Sequence, residues 1–93
     1  MIQMERRHWK IVQDILQKYP YTFYAFGSRV KGSARKLSDL DICFMDTIPW
    51  NVKAHMDEDF EESDLPYKVD IINGNTISDS FRDAIKNDLI KIQ

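Results

Sequence analysis

Short apolar segments of strand length alternate along this chain with longer segments of helical periodicity, and this alternation most constrains its fold. The strand-like segments are YTFYAF at 21–26, DLDICFM at 39–45 and YKVDII at 67–72. The helical segments, with apolar residues every three or four positions, are 4–19, 48–63 and 77–92. A short helical turn is expected after the first strand. This order predicts an α/β domain, a small mixed sheet of about three strands covered by helices.

Length and composition indicate one domain covering residues 1–93, since domains commonly run to about 100–200 residues. Hydrophobic residues make up 43% and charged residues 30%, which is typical of globular proteins. No apolar run approaches the ~18 residues of a membrane span, and the N-terminus is too polar for a signal peptide. Cys43 has no partner for a disulfide and is expected to be buried. The expected location is the cytoplasm.

The net charge of −2 argues against a general binder of long nucleic acids, which would carry a basic excess. The two histidines, His8 and His55, are isolated and are predicted to lie on outward or mixed helix faces without a chemical role. Trp50 follows a proline and is predicted to be exposed, where it could serve an interface.

Two aspartates, Asp39 and Asp41, stand one residue apart at the start of the second strand. Alternate residues of a strand share a face and lie about 7 Å apart, so these carboxylates repel each other unless a cation neutralises them. Mg²⁺ prefers oxygen ligands and commonly sits between one or two carboxylates and substrate phosphates. The alternative is a solvated acidic turn in which Ser38 and Asp39 cap the local backbone.

A third aspartate, Asp70, interrupts the apolar run VDII of the third strand. A carboxylate there is costly if it is buried without a partner. Lys68, two residues earlier, is one possible partner, but only if the face that the two residues would share is partly wet. A metal site shared with Asp39 and Asp41 is the simpler interpretation.

Gly27 and Ser28 close the first strand and precede the short helical turn. Glycine permits a tight turn or a close backbone approach, and free amides at a helix start together with a hydroxyl bind phosphate. The same dipeptide occurs in many ordinary turns. Four basic residues follow in the segment 29–36, which is either a solvated loop or a counter-charge for a triphosphate.

Taken together, these features resemble the minimal nucleotidyltransferases, a branch of the superfamily that shares the palm domain of DNA polymerase β. The family pattern GSRxxGxxxxxSDLDI is matched from Gly27 to Ile42. The stretch ESDLPYKVDII at 62–72 is similar to the segment that carries the family's third carboxylate. The resemblance extends over about residues 10–92 and implies a polymerase β-like nucleotidyltransferase fold.

The resemblance also implies the role of each residue in the pattern. The catalytic and metal-binding residues would be Asp39, Asp41 and Asp70, which hold two Mg²⁺ ions. The nucleotide-binding residues would be Gly27, Ser28 and Arg29, with the first two at the β- and γ-phosphates. Asp70 would complete the second metal site and help to activate the acceptor hydroxyl.

For the acceptor, the resemblance implies a HEPN-type helical partner protein, which the chain would neutralise as an antitoxin by moving AMP from ATP, or the monophosphate of another nucleoside triphosphate, onto a tyrosine. One alternative is an antitoxin that acts by binding alone. Others are a catalytic subunit with a separate substrate-binding chain, and a small-molecule nucleotidyltransferase of the aminoglycoside type. The last is disfavoured because the sequence shows no acceptor-binding domain.

Overall fold

The computed structural model describes residues 2–93, which form a four-stranded mixed sheet and four helices. In chain order the elements are α1 (Arg6–Leu16), β1 (Phe23–Phe26), α2 (Ser28–Lys31), β2 (Leu40–Phe44), α3 (Trp50–Glu61), β3 (Val69–Asn73), α4 (Asp79–Ile85) and β4 (Ile90–Lys91). The strand order is β3-β2-β1-β4. β2 and β3 run parallel, whereas β1 is antiparallel to both β2 and β4. The predicted α/β class and mixed sheet are confirmed.

The strand count is four because the last predicted helix was too long. The sequence predicted a helical stripe over 77–92, but α4 ends at Ile85 and the chain returns to the sheet as β4. Ile90 pairs with Ala25, and the Ile92 amide donates to the Phe23 carbonyl at 2.9 Å. The N–H and C=O groups on this edge of β1 need hydrogen-bond partners, and residues 90–92 supply them as a strand. This pairing outweighs the helical spacing of the side chains.

The sheet has two differently covered faces because side chains alternate along each strand. Leu40, Ile42 and Phe44 of β2 belong to the main core, which includes buried residues of α1 and α3. The other face carries a smaller cluster of Phe26, Cys43 and Ile85. We call the first the helix face and the second the open face. Cys43 is fully buried, as predicted.

Helix α1 is fastened to α3 through a polar contact at the edge of the core. The Tyr19 hydroxyl, just beyond α1, donates a hydrogen bond to Asp59 of α3, and Lys18 lies 3.2 Å from the same carboxylate. Burial and this hydrogen bond raise the pKa of Tyr19 to about 12. The hydrogen bond from Tyr19, aided by Lys18, lowers the pKa of Asp59.

Across residues 2–93, no helix has the length and hydropathy needed to cross a bilayer.

Replacing Tyr19→Phe is expected to lower the free energy of unfolding at pH 7 by about 1.5 kcal/mol, the lower end for a hydrogen bond to a charged group. Because the fold lowers the pKa of Asp59, this contribution is present above the ordinary carboxyl pKa of about 4 and disappears as the pH falls through the lowered value. The measurement is urea unfolding of both proteins between pH 7 and 3.

Tyr24→Phe is the control, because no hydrogen bond of the Tyr24 hydroxyl is seen within residues 2–93. An unfolding difference for Tyr19→Phe that stays constant with pH would contradict the assignment.

Candidate active site

The three predicted carboxylates meet at one end of the parallel strand pair. Asp39 immediately precedes β2, while Asp41 and Asp70 are the second residues of β2 and β3. Asp41 and Asp70 are direct partners in the parallel register, on strands spaced about 4.8 Å apart. Because Leu40 and Ile42 point to the helix face, Asp41 lies on the open face. Asp41 and Asp70 are therefore adjacent in the backbone register, and Asp39 is near enough for its charge to act on Asp41.

Burial and mutual repulsion together set the electrostatics of this group. Burial, followed by the nearby charges of Asp70 and Asp39, raises the pKa of Asp41. Lys68 offsets part of the repulsion, since its Nζ lies 3.1 Å from Asp70 Oδ1. That hydrogen bond raises the pKa of Lys68, and Asp39 acts in the same direction. Lys68, which the sequence offered as the less simple partner of Asp70, does pair with it. The face that the two residues share is open to solvent, since the Lys68 side chain is 71% exposed.

The donor chemistry of the site suits a hard divalent cation. Three carboxylates supply oxygen ligands, and burial, followed by the charges of Asp70 and Asp39, raises the pKa of Asp41. Among residues 2–93, no group of three or more Asp, Glu, His or Cys side chains is arranged to hold a metal ion. Mg²⁺ commonly takes only one or two carboxylates and completes its shell with water and substrate phosphates. The metal-binding role of Asp39, Asp41 and Asp70 stays a prediction.

Gly27 places the turn after β1 directly against Asp41. Its φ is +84°, in the region that favours glycine, and a β-carbon there would collide with Asp41 Oδ2. Val30 and Lys31 donate their amides to the Gly27 carbonyl at 3.0 Å, which starts α2. The amides of Ser28 and Arg29 have no acceptor within residues 2–93. Two free donors thus lie beside the carboxylates, as a phosphate cradle requires.

The Arg29 side chain points into the protein. It is 5% exposed, and its guanidinium donates to the carbonyls of Gln3 at 2.8 Å, Ser38 at 2.8 Å and Lys36 at 3.3 Å. It also lies 3.9 Å over the ring of Tyr67. These contacts fasten the loop that leads to Asp39. Because the guanidinium is occupied by these carbonyls, the backbone amide is the part of Arg29 that is free to bind a phosphate. That role stays a prediction.

Tyr67 and His8 are components of this region that the sequence reading missed. His8 was predicted to face outward or to a mixed surface, but it is only 7% exposed because its ring packs edge-on against Tyr67, with centroids 5.5 Å apart. The position of Tyr67 three residues before Asp70 was visible in the sequence. Its contact with Arg29, however, joins segments 38 residues apart and leaves no local signal.

The basic segment between the glycine turn and the acids is mixed in its roles. Lys31 lies 3.5 Å from Asp88, while Arg35 and Lys36 are exposed. The Ser38 hydroxyl accepts the Arg35 amide at 2.8 Å. The capping role considered for Ser38 is therefore present, and it coexists with the acidic cluster.

Replacing both acids, Asp39→Asn with Asp41→Asn, is expected to raise the free energy of unfolding at pH 7, because burial and like charge disfavour ionised Asp41 in the fold. The same variant is expected to lose Mg²⁺-dependent nucleotide binding. Urea unfolding without Mg²⁺ and calorimetry with Mg²⁺ and ATP measure the two effects. Asp64→Asn, at an exposed position, is the control. Equal ATP binding by the double variant and the control would refute the site.

Gly27→Ala is expected to reduce binding of Mg²⁺ and ATP at least about tenfold, because its β-carbon must displace the Asp41 carboxylate. Gly32→Ala is the matched control. Gly32 has a similar φ of +78° but no atom within 4 Å of its would-be β-carbon, so it pays only a backbone strain of about 1–2 kcal/mol in stability. Calorimetry separates the two, and equal loss of binding in both variants would contradict a special role for Gly27.

Comparison of the sequence with known families and proteins agrees with this geometry. The family described as "Nucleotidyltransferase domain" matches residues 5–92. The chain is 45% identical over 87 residues to the probable protein adenylyltransferase MntA of Haemophilus influenzae. That alignment covers 89% of this chain and 76% of the relative.

Two solved structures share the fold at 19% sequence identity. One is a crystal structure of a toxin–antitoxin with AMP-PNP, with a TM-score of 0.70 over 91% of this chain and 72% of the other. The second is a crystal structure of a mutant of the toxin–antitoxin MntA–HpeT, with a TM-score of 0.68 over 98% and 73%. At this identity the likeness concerns the fold.

Proposed function

We propose, from the premise that this chain belongs to the nucleotidyltransferase domain family, that it moves AMP from ATP onto a hydroxyl of a separate protein. The chain is a nucleotidyltransferase by family. The observation that carries the finer proposal is the contact between the Gly27 turn and Asp41, combined with the register of Asp41 and Asp70. The backbone N–H groups proposed to hold the phosphates and the carboxylates proposed to hold the metal therefore lie at the same end of the sheet.

In the proposed reaction, the free amides of Ser28 and Arg29 and the Ser28 hydroxyl hold the terminal phosphates of ATP. Asp70 accepts the proton of the acceptor hydroxyl, whose oxygen bonds to the α-phosphorus while the bond to the β-phosphate oxygen breaks and pyrophosphate leaves. Two Mg²⁺ ions held by Asp39, Asp41 and Asp70 would stabilise charge on the attacking and leaving oxygens. The protein contributes positioning and electrostatic stabilisation.

For the acceptor, we propose a tyrosine of a HEPN-type helical toxin that the chain neutralises as an antitoxin in the cytoplasm. The support is the name of the Haemophilus relative, a probable protein adenylyltransferase, and the toxin–antitoxin titles of the two structures that share the fold. An attached AMP brings bulk and negative charge, which would exclude an RNA phosphate from a nearby toxin active site by occupancy and repulsion.

Incubating the chain with its toxin partner, Mg²⁺ and ATP is expected to increase the mass of the partner by one AMP. The Asp39→Asn/Asp41→Asn variant is expected to give no increase, and Asp64→Asn to behave as wild type. Intact-protein mass spectrometry reads the result. Neutralisation of the partner at equal stoichiometry without any mass increase would show that binding alone suffices and would overturn the catalytic proposal.

A further inference from the structure

The strand that carries Asp70 has an open outer edge. β3 is the last strand on its side of the sheet. Leu40 donates its amide to the Lys68 carbonyl and Gly74 donates to the Phe44 carbonyl, so the backbone groups of residues 68, 70, 72 and 74 face β2. Those of Val69 and Ile71 point away from the sheet. Within residues 2–93 the backbone N–H and C=O groups of these two residues have no hydrogen-bond partner.

A groove runs along this edge and reaches Asp70. Its volume is about 470 Å³, within the range of roughly 300–1,000 Å³ typical of ligand sites. Helix α3 forms one wall and β3 the other. Its apolar lining includes Phe60, Leu65, Tyr67 and Ile71, and its charged lining is Lys53, Asp57, Glu61, Lys68 and Asp70. A segment placed here would meet both apolar and charged side chains along its length, with the Asp70 carboxylate at one side.

Tyr67 is among the residues that line the groove, and it is only 9% exposed. Its hydroxyl is the one buried side-chain polar atom without a hydrogen-bond partner in the part of the chain that the structure describes. Its ring packs against His8 and Arg29, so Tyr67 joins the groove to the loop that Arg29 holds.

We infer that the acceptor protein binds as an extended strand added to the outer edge of β3, an inference that rests on the proposed function. The open N–H and C=O groups of Val69 and Ile71 pair with the backbone of the added strand. The residue opposite Asp70 shares its face and lies about 5 Å away, so a hydroxyl-bearing side chain there enters the site. The two neighbouring side chains point to the other face, into the groove, where Phe60 and Leu65 offer apolar contacts.

The dimensions of the edge favour a short segment over a second copy of the sheet. At its end, Asn73 is already engaged, because its carbonyl accepts the Thr76 amide at 3.1 Å. The open stretch is therefore confined to Val69–Ile71. It suits a short segment in which apolar residues flank the residue that carries the hydroxyl. This pattern would select the acceptor independently of nucleotide binding.

Two peptides of identical composition test the binding step without ATP. One alternates valine with polar residues around a central tyrosine, and the other has the same residues scrambled so that the alternation is lost. Amide hydrogen exchange, read by NMR, is expected to slow at Val69 and Ile71 roughly fivefold or more with the alternating peptide at saturation, for hydrogen bonds of ordinary strength. Unchanged exchange at both amides, or equal slowing by the scrambled peptide, overturns the inference.

Val69→Pro tests the same step in the whole protein. Proline removes an outward N–H and leaves the bonds to β2 intact, so it is compatible with an edge strand. Transfer of AMP to the alternating peptide is expected to show a KM raised roughly fivefold or more, while calorimetric binding of Mg²⁺ and ATP stays unchanged. Lys91→Pro, at an outward position of the opposite edge strand β4, is the matched control and is expected to leave the KM unchanged.

The outcomes separate the two levels of the proposal. If the alternating peptide slows amide exchange at Val69 and Ile71 of the wild-type protein but AMP is never transferred, the proposed function is refuted and the binding site stays supported. Normal transfer by Val69→Pro would overturn the strand-addition site and leave the function standing. Slowed exchange that appears with rising protein concentration and no peptide would identify a second copy as the occupant and overturn the inference. If Val69→Pro does not fold, the exchange experiment on wild type decides alone.

Discussion

The parallel register between β2 and β3 is the constraint on which the site depends. It makes Asp41 and Asp70 direct neighbours and leaves Asp39 at the entrance of the same strand. Ionised Asp41 is unfavourable here because it is partly buried and lies beside like charges, and both effects raise its pKa. A fold stabilised by side-chain burial elsewhere can sustain such a local penalty, and catalytic sites commonly concentrate perturbed groups in this way. The close approach of Gly27 to Asp41 then brings the glycine turn after β1 to the same point.

A buried arginine holds the loop between α2 and β2. Most of this loop is exposed, and Arg29 fixes it by donating to the carbonyls of Lys36 and Ser38. Planar guanidinium groups suit this role, because several donors in a fixed geometry can satisfy several carbonyls while the face stacks on an aromatic ring. Tyr67 provides that ring and also lines the groove beside Asp70. The structure thus connects the loop that precedes the acids with the groove along the edge of β3.

Edge strands are normally protected, since unpaired backbone groups invite association. On β1 the return of the chain as β4 supplies that protection. On β3 the edge stays open for the two residues that flank Asp70, next to a groove with a mixed apolar and charged lining. In the proposal made above, this opening receives the acceptor, and the proposed acceptor and nucleotide sites then meet at Asp70.

The sequence determined the elements and the chemistry of the site, because these follow from local patterns. Periodicity located α1, α3 and the three principal strands, and the Gly-Ser and Asp-x-Asp spacing identified the acids that the register brings together. The fourth strand, the inward direction of Arg29 and the packing of His8 against Tyr67 were decided by the tertiary structure. Each depends on a partner distant in sequence or on a free strand edge. Local spacing carries no information about such partners, so only the folded chain could assign them.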